Sequence, residues 1–439
     1  MISKDSCVVL HNEEMGCLYC PNHGKIHVLP VSDAITLKGY LDEYFNGNLS
    51  NDDSLCLEEY LSSLLNANPE LPFRNSPGLN GIDSIDKLEI LVATDCNLRC
   101  RYCYANGGSY GKDRMRLTAE MAIRYLEALF PKPYRSVRII EFFGGEPTLC
   151  PDTIEAVCCY FKNLYTRKII DTMPQFLMVS NCTLIDGHMA KIISEYKIGV
   201  TMSIDGPKDI NDLLRIDIKG NGTFDLIRKG VDNLKAAGTT PIMIEATYTE
   251  LHKQLRYSKE SIKAYLRKEF DVVDVMVADC DEGGDETLVV RNGNSKLENE
   301  TSPLQGNIVH TYTHLKRKYI SPYGCTVGIS SFALLPNGDI YPCHFFIYHP
   351  EYRMALFDGS KFDFSEYPTI RDKFESISMR HRSECSECWA KPVCFSCSAL
   401  ALLENNRELK EEECNLRRKI EEQMILKCVR TCYAEKHGR

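Results

Sequence analysis

The sequence predicts an α/β fold built on a parallel sheet, from the order, spacing and number of its apolar runs. Short apolar runs at 88–93, 137–143, 176–179, 198–204, 242–247 and 272–278 are each followed by a helical pattern. Those patterns fall near 118–130, 152–165, 186–196, 224–236, 258–269 and 307–318. Consecutive strand–helix units pair their strands in parallel, because each helix serves as the crossover. Six units give a sheet that is either open or curved into a partial barrel. In both cases sites form at the carboxyl ends of the strands.

Ahead of these units, residues 7–31 alternate apolar and polar residues around Gly16 and Asn22-His23-Gly24, predicting two or three short strands. Helical spacing follows at Ile35, Leu37, Tyr40, Leu41, Tyr44 and Phe45, and again from Leu57 to Leu65. Residues 68–81 are dense in Pro, Gly and Asn and read as a linker. A small α+β domain is therefore expected over 1–75, and the strand–helix units over 82–319. Thr118, before Ala-Glu-Met, is the expected cap of the first of their helices. From 320 to 439 the pattern breaks into turns and cysteines, closing with a charged helix from Glu404 to about Cys432. A domain organised by metal is expected there.

Composition narrows the function. A net charge of -9 argues against a phosphate-binding surface, so nucleic acid is not expected as a partner. Neither a signal pattern nor a membrane-length apolar run is present, which predicts a cytoplasmic protein with no membrane partner. The chain carries 21 cysteines, many of them clustered, on a large and well-patterned sequence. Disulfide frameworks belong mainly to small secreted chains, so clustered thiols here read as metal ligands.

The first strand of the repeat runs into Ala93-Thr-Asp-Cys96-Asn-Leu-Arg-Cys100-Arg-Tyr-Cys103-Tyr. Three thiolates in one loop can hold three irons of a [4Fe–4S] cube and leave the fourth iron open. A zinc knuckle would want a fourth Cys or His nearby, and none follows closely.

This loop, with Tyr102 before the third cysteine, resembles the signature of the radical S-adenosylmethionine (SAM) superfamily. The resemblance continues through Phe143-Gly144-Gly145-Glu146-Pro147, Ser203-Ile-Asp205-Gly-Pro207 with Arg215, and Glu245-Ala-Thr-Tyr-Thr249. Ser180-Asn-Cys182-Thr departs from it, since relatives usually carry Gly in place of Cys182. The resemblance implies a partial (β/α)6 TIM-like barrel. It also implies a catalytic cluster on Cys96, Cys100 and Cys103, with SAM contacted by Tyr102, Gly144, Gly145, Glu146, Ser203, Asp205 and Arg215. Reductive cleavage of SAM would give a 5′-deoxyadenosyl radical that takes hydrogen from an unactivated carbon, fed by an external donor such as flavodoxin or ferredoxin.

A second array follows: Cys325-x12-Gly338-x4-Cys343, then Cys385-x2-Cys388-x5-Cys394-x2-Cys397, and Cys414. With Asn337-Gly-Asp-Ile-Tyr-Pro-Cys343-His and Cys388-Trp-Ala-Lys, it resembles the SPASM extension of peptide-modifying relatives. That extension holds auxiliary [4Fe–4S] clusters, for three clusters in all. The resemblance implies an outer cluster on Cys385, Cys388, Cys394 and Cys414, and an inner one on Cys325, Cys343 and Cys397. The inner set either keeps an open iron or borrows His344, Cys428 or Cys280. The spacing Cys394-x2-Cys397 departs from the three residues usual in the family. Paired knuckles also suit structural zinc.

Among the remaining cysteines, Cys17 and Cys20 read either as two buried thiols or as a small metal site with His23 and His27. Cys158, Cys159, Cys428 and Cys432 read as helix packing. The N-terminal domain resembles the precursor-recognition element (a winged helix-turn-helix) of peptide maturases. Such an element captures a leader as an added strand. The expected function is maturation of a ribosomally made precursor peptide by an intramolecular crosslink, a Cys thioether first and a carbon–carbon bond second. The rivals are an anaerobic sulfatase-maturating, formylglycine-forming enzyme, and a zinc-organised scaffold or iron–sulfur electron carrier.

Overall fold

The structure, a computed structural model, describes residues 3, 6–66, 69–74, 84–130, 136–280, 284–290, 311–404 and 411–437. Residues 68 and 75–81 of the expected linker, 307–310 of the helix expected at 307–318, and 405–410 of the helix expected from Glu404 lie outside them. The chain divides into two compact units. One comprises Met1–Ser76, Leu304–Cys325 and Lys373–Arg439, and the other Pro77–Pro303 and Thr326–Asp372.

In the first unit, β1 (Val8–His11), β2 (Gly16–Cys20) and β3 (Lys25–Leu29) form an antiparallel sheet in that order. Asn12 turns the first hairpin, its Oδ1 accepting from the Glu14 and Met15 amides at 2.9 and 2.8 Å. Two helices follow, α1 (Val31–Phe45) and α2 (Asn51–Asn66). Because strand side chains alternate between faces, the sheet feeds two cores. Val9, Leu18 and Cys20 pack with Ala34 and Leu41 of α1 and Leu57 and Leu61 of α2. Leu10, Cys17 and Tyr19 pack with Val393 and with Ile425, Leu426 and Val429 of the C-terminal helix Glu411–His437. Cys17 and Cys20 therefore serve different cores, the packing alternative for this pair. Burial pushes their thiols up to about 12 and about 11.

The described part of the helix expected at 307–318 belongs to the first unit; the second unit holds the six predicted strands, with helices after the first five. Its parallel strands are β4 (Ser84–Ala93), β5 (Ser136–Gly144), β6 (Gln175–Ser180), β7 (Gly199–Ser203), β8 (Met243–Tyr248) and β9 (Val275–Asp279). The helices between them are α3 (Ala119–Leu129), α4 (Pro151–Thr166), α5 (Gly187–Glu195), α6 (Lys208–Leu214), α7 (Phe224–Ala236), α8 (Glu250–Gln254) and α9 (Lys259–Phe270). The cap expected at Thr118 is present, its hydroxyl accepting from the Met121 amide at 3.2 Å. Along α4 the buried residues Ile154, Val157, Cys158 and Phe161 follow helical spacing, which places Cys158 in the core.

Among the described residues the sheet has eight strands where the sequence pattern predicts six. Beyond β4 lies β10 (Ser331–Leu334), parallel to it with Phe332 opposite Leu88, and then antiparallel β11 (Ile340–Tyr341). Such short strands carry too few residues for periodicity to announce them. Among the described residues, no helix is long and apolar enough to cross a membrane.

Candidate active site

The loop leaving β4 holds Cys96, Cys100 and Cys103 at the carboxyl end of the sheet. Asp95 braces its start, accepting from the Cys96 amide at 2.9 Å and from Arg114 and Arg116 at 2.7 and 3.0 Å. The Leu98 amide points at Cys96 Sγ across 3.3 Å, and the Asn181 side-chain amide lies 3.8 Å from the same sulfur. The three thiols feel one another electrostatically. Burial pushes Cys96 up to about 12, with Glu146, Cys100 and Cys103 adding to the rise. Burial likewise holds Cys100 at about 11, against the nearby Arg215 guanidinium. Free of metal, Cys96 and Cys100 are protonated at neutral pH, and binding iron would displace their protons. Three soft donors on one loop within electrostatic range of one another, with a guanidinium beside Cys100, are the donor type that an iron–sulfur cluster takes.

Gly144 and Gly145 end β5 in backbone-to-backbone contact with this loop. The Gly145 amide donates to the Ala93 carbonyl and the Glu146 amide to the Asp95 carbonyl, each at 2.9 Å. A Cβ on Gly145 would lie 2.2 Å from the Asp95 carbonyl oxygen. One on Gly144, where φ is +122°, would lie 2.2 Å from that of Ala93. The pair is a docking seam that only glycine permits.

Glu146 does something the motif alone does not predict. Its carboxylate accepts from the Thr148 amide and hydroxyl at 3.1 and 2.6 Å, from the Ser180 hydroxyl at 2.7 Å and from the Asn181 amide at 2.8 Å. It is a buried strut between the ends of β5 and β6. Burial still raises its pKa, against those four donors. Next to it, Cys182 takes the left-handed conformation, φ +59°, in which its amide reaches the Ser180 hydroxyl at 2.9 Å. That backbone explains a preference for glycine there.

Tyr102, Asp205 and Arg215 meet in one buried network. The Tyr102 hydroxyl lies 2.6 Å from Asp205 Oδ2, and Arg215 Nη1 lies 2.6 Å from that hydroxyl and 3.6 Å from Asp205 Oδ1. Asp205 also accepts from the Thr247 amide at 3.1 Å, while its carbonyl meets His252 Nε2 at 2.9 Å. Arg215 Nε is buried without a hydrogen-bond partner among the described residues. Ser203 ends β7 opposite Glu245 of β8. The residues expected to contact SAM thus lie at the ends of β5 and β7, in the cysteine loop and, for Arg215, at the end of α6. An unspent guanidinium N–H there suits a carboxylate-bearing cofactor.

The structure adds a polar group that spacing could not show. His344 Nδ1 lies 2.6 Å from Glu89 of β4, and its ring stacks on Phe143 with centroids 4.6 Å apart. Burial opposes the Glu89 charge, but His344 and Lys87 outweigh it and hold the carboxyl at about 2. Glu245, facing Glu141 and His344, is raised to about 7 by burial and then by Glu141.

In the first unit, Cys388 lies within electrostatic reach of Cys385, Cys394 and Cys414, and Cys385 within reach of Cys394 and Cys414. Cys325 and Cys397 belong to the same unit, and Cys343 to the other. A Cβ on Gly324 would sit 2.4 Å from the Ser396 amide, so the residues before Cys325 and Cys397 touch. Of the alternatives for a further ligand, His344 is engaged by Glu89, Cys280 packs with Tyr102 and Leu288, and Cys428 is buried. Among the described residues, no three His, Cys, Asp or Glu side chains converge on the position of a single metal ion.

Residues 90–254 match the radical SAM superfamily. The radical SAM cyclopropyl synthase TigE of Paramaledivibacter caminithermalis is 31% identical over 28% of this chain and 28% of its own length. The alignment therefore spans well under half of that relative. A cysteine-type anaerobic sulfatase-maturating enzyme of Clostridium novyi is 22% identical over 70% of this chain and 85% of its own. The solved structure of native anSMEcpe with bound AdoMet shares the fold, with a TM-score of 0.54 at 20% identity over 79% of this chain and 98% of that one.

Proposed function

We infer that this chain, a radical SAM enzyme by its residues 90–254, matures a peptide by installing a crosslink between two of its own residues. One observation carries this reading. A loop of three thiols, with no fourth Cys or His between Thr94 and Leu117, is locked by a glycine seam against a motif resembling the family's SAM-binding one. When bound, the cluster and SAM supply a 5′-deoxyadenosyl radical able to take hydrogen from an unactivated carbon.

The chain's own residues then have distinct tasks. Cys96, Cys100 and Cys103 hold iron and leave one position for SAM. Gly144 and Gly145 let the cysteine loop close against the end of β5, where the cofactor would bind. Arg215, fixed by Asp205 and Tyr102, presents its spare N–H, and Ser203 offers a hydroxyl. Glu146 keeps the ends of β5 and β6 in register, which positions the site and helps to exclude water.

The outer set Cys385, Cys388, Cys394 and Cys414 would hold an auxiliary cluster. Closing a crosslink after one hydrogen abstraction requires removing one further electron, which such a cluster can accept. The edge of the β1–β3 sheet can take a precursor's leader as an added strand, and flavodoxin or ferredoxin would supply the reducing electron. A thioether is the favoured bond.

Sulfatase maturation remains the second reading, favoured by similarity to the C. novyi enzyme over most of both chains. Co-expression with the short peptides encoded beside the gene, followed by mass spectrometry, tests the choice. Loss of two hydrogens with a new internal link supports crosslinking. Unchanged peptides, with formylglycine formed in a co-expressed sulfatase, would replace it with the second reading.

A further inference from the structure

The four cysteines read as the outer auxiliary set stand among three arginines. Arg418 Nη1 lies 3.9 Å from Cys388 Sγ, with Nη2 anchored on Asn415 Oδ1 at 2.6 Å. Arg417 donates to the Phe395 carbonyl, one residue beyond Cys394. Its charge acts on both Cys394 and Cys414. The Arg382 carbonyl accepts from the Cys385 amide at 3.2 Å, and its guanidinium acts on Cys385 and Cys414. Arg382 Nε is buried with no hydrogen-bond partner among the described residues. Among the described residues, exposed Glu384 acts on Cys385 and buried Glu421, which accepts from the Thr311 hydroxyl at 2.9 Å, acts on Cys394, both in the opposite sense.

At the catalytic loop the neighbouring guanidinium groups are held by oxygen acceptors: Arg215 by Asp205 and Tyr102, Arg99 by the Cys96 and Leu98 carbonyls, and Arg114 and Arg116 by Asp95. Guanidinium stays charged at any working pH, and in a partly desolvated site its field is screened less than in water. Reducing an iron–sulfur cluster adds one electron and one negative charge, with no bond or proton exchanged. Fixed positive charge beside the ligating sulfurs therefore favours the reduced form.

We propose that Arg382, Arg417 and Arg418 form a guanidinium collar that raises the reduction potential of the outer cluster and makes it an electron-accepting station. This rests on the assignment of Cys385, Cys388, Cys394 and Cys414 as its ligands.

The test is an anaerobic redox titration of reconstituted full-length enzyme, followed by electron paramagnetic resonance, with iron counted per chain. R382Q and R418Q are compared with R382K and R418K. The expected result is unchanged iron with one auxiliary midpoint lowered in the Gln variants. A roughly tenfold shift in the oxidised-to-reduced ratio is about 59 mV for a one-electron couple. The Lys variants, which keep the charge, should stay near wild type. Retained iron with unmoved midpoints would overturn the proposal. Loss of iron from the variants would also overturn it, because the collar would then hold the cluster rather than tune it. A separate control, C385A, isolates the underlying assignment. If C385A keeps the full iron count and every auxiliary signal, the ligand reading fails and the collar has no cluster to act on.

Discussion

The Tyr102 hydroxyl donates to Asp205 across 2.6 Å, joining the cysteine loop to the end of β7 through residues 103 positions apart. Arg215 closes the network on that hydroxyl at 2.6 Å, and all three side chains are buried. Asp205→Asn leaves the guanidinium uncompensated. Losing one partner of a buried ion pair costs about 3–5 kcal/mol. Urea unfolding should show a loss of that order for Asp205→Asn. Tyr102→Phe should lose about 1–3 kcal/mol, the cost of stranded buried polar groups.

Gly145→Ala tests the docking seam. The added methyl meets the Asp95 carbonyl at 2.2 Å and, against Gly108, a second stretch of backbone 2.8 Å away. Neither can swing aside as a side chain would. Overpacking of this kind costs about 1–3 kcal/mol or more. The displaced loop should also retain less iron after reconstitution, whereas Gly187→Ala, where a Cβ meets nothing within 4 Å, should retain it all.

Glu245 gives a pH signature. Its folded pKa, about 7, lies above the ordinary 4.5, so the folded state holds the proton more tightly than the unfolded one. Its contribution is most favourable below 4.5 and is lost as pH rises toward 7. Glu245→Gln removes that loss. The variant should be more stable than wild type at pH 8 by about 1–3 kcal/mol and converge with it toward pH 5. Parallel stability curves for the two proteins would contradict this.

Cys17 and Cys20 are packing residues in two cores on opposite sides of β2. Cys17→Ala and Cys20→Ala should each cost about 1 kcal/mol of stability, as small cavities do. Iron per chain should not change. A drop in metal content would restore the ligand alternative for this pair.

Much of this fold can be read from the chain because its signals are local. Strand–helix alternation over 88–278 and the spacing of Cys96, Cys100 and Cys103 repeat at short range, where periodicity and loop chemistry act. Contacts made at long range leave no such trace. The pairing of β10 with β4 joins segments 244 residues apart, from Phe332 to Leu88, and His344 meets Glu89 from a region of turns. Glu146 shows the limit within a motif. Its string stands out in the sequence, but only the hydrogen bonds to Thr148, Ser180 and Asn181 show that its carboxylate is a strut.

The most direct test is SAM cleavage by anaerobically reconstituted enzyme under strong reductant, read as 5′-deoxyadenosine by chromatography. Wild type should form it. Cys96→Ala, checked for an unchanged circular dichroism spectrum, should form none and should hold less iron than wild type after the same reconstitution. Cleavage that survives in Cys96→Ala, or its absence from iron-replete wild type, would contradict the assignment of Cys96, Cys100 and Cys103 as the catalytic centre.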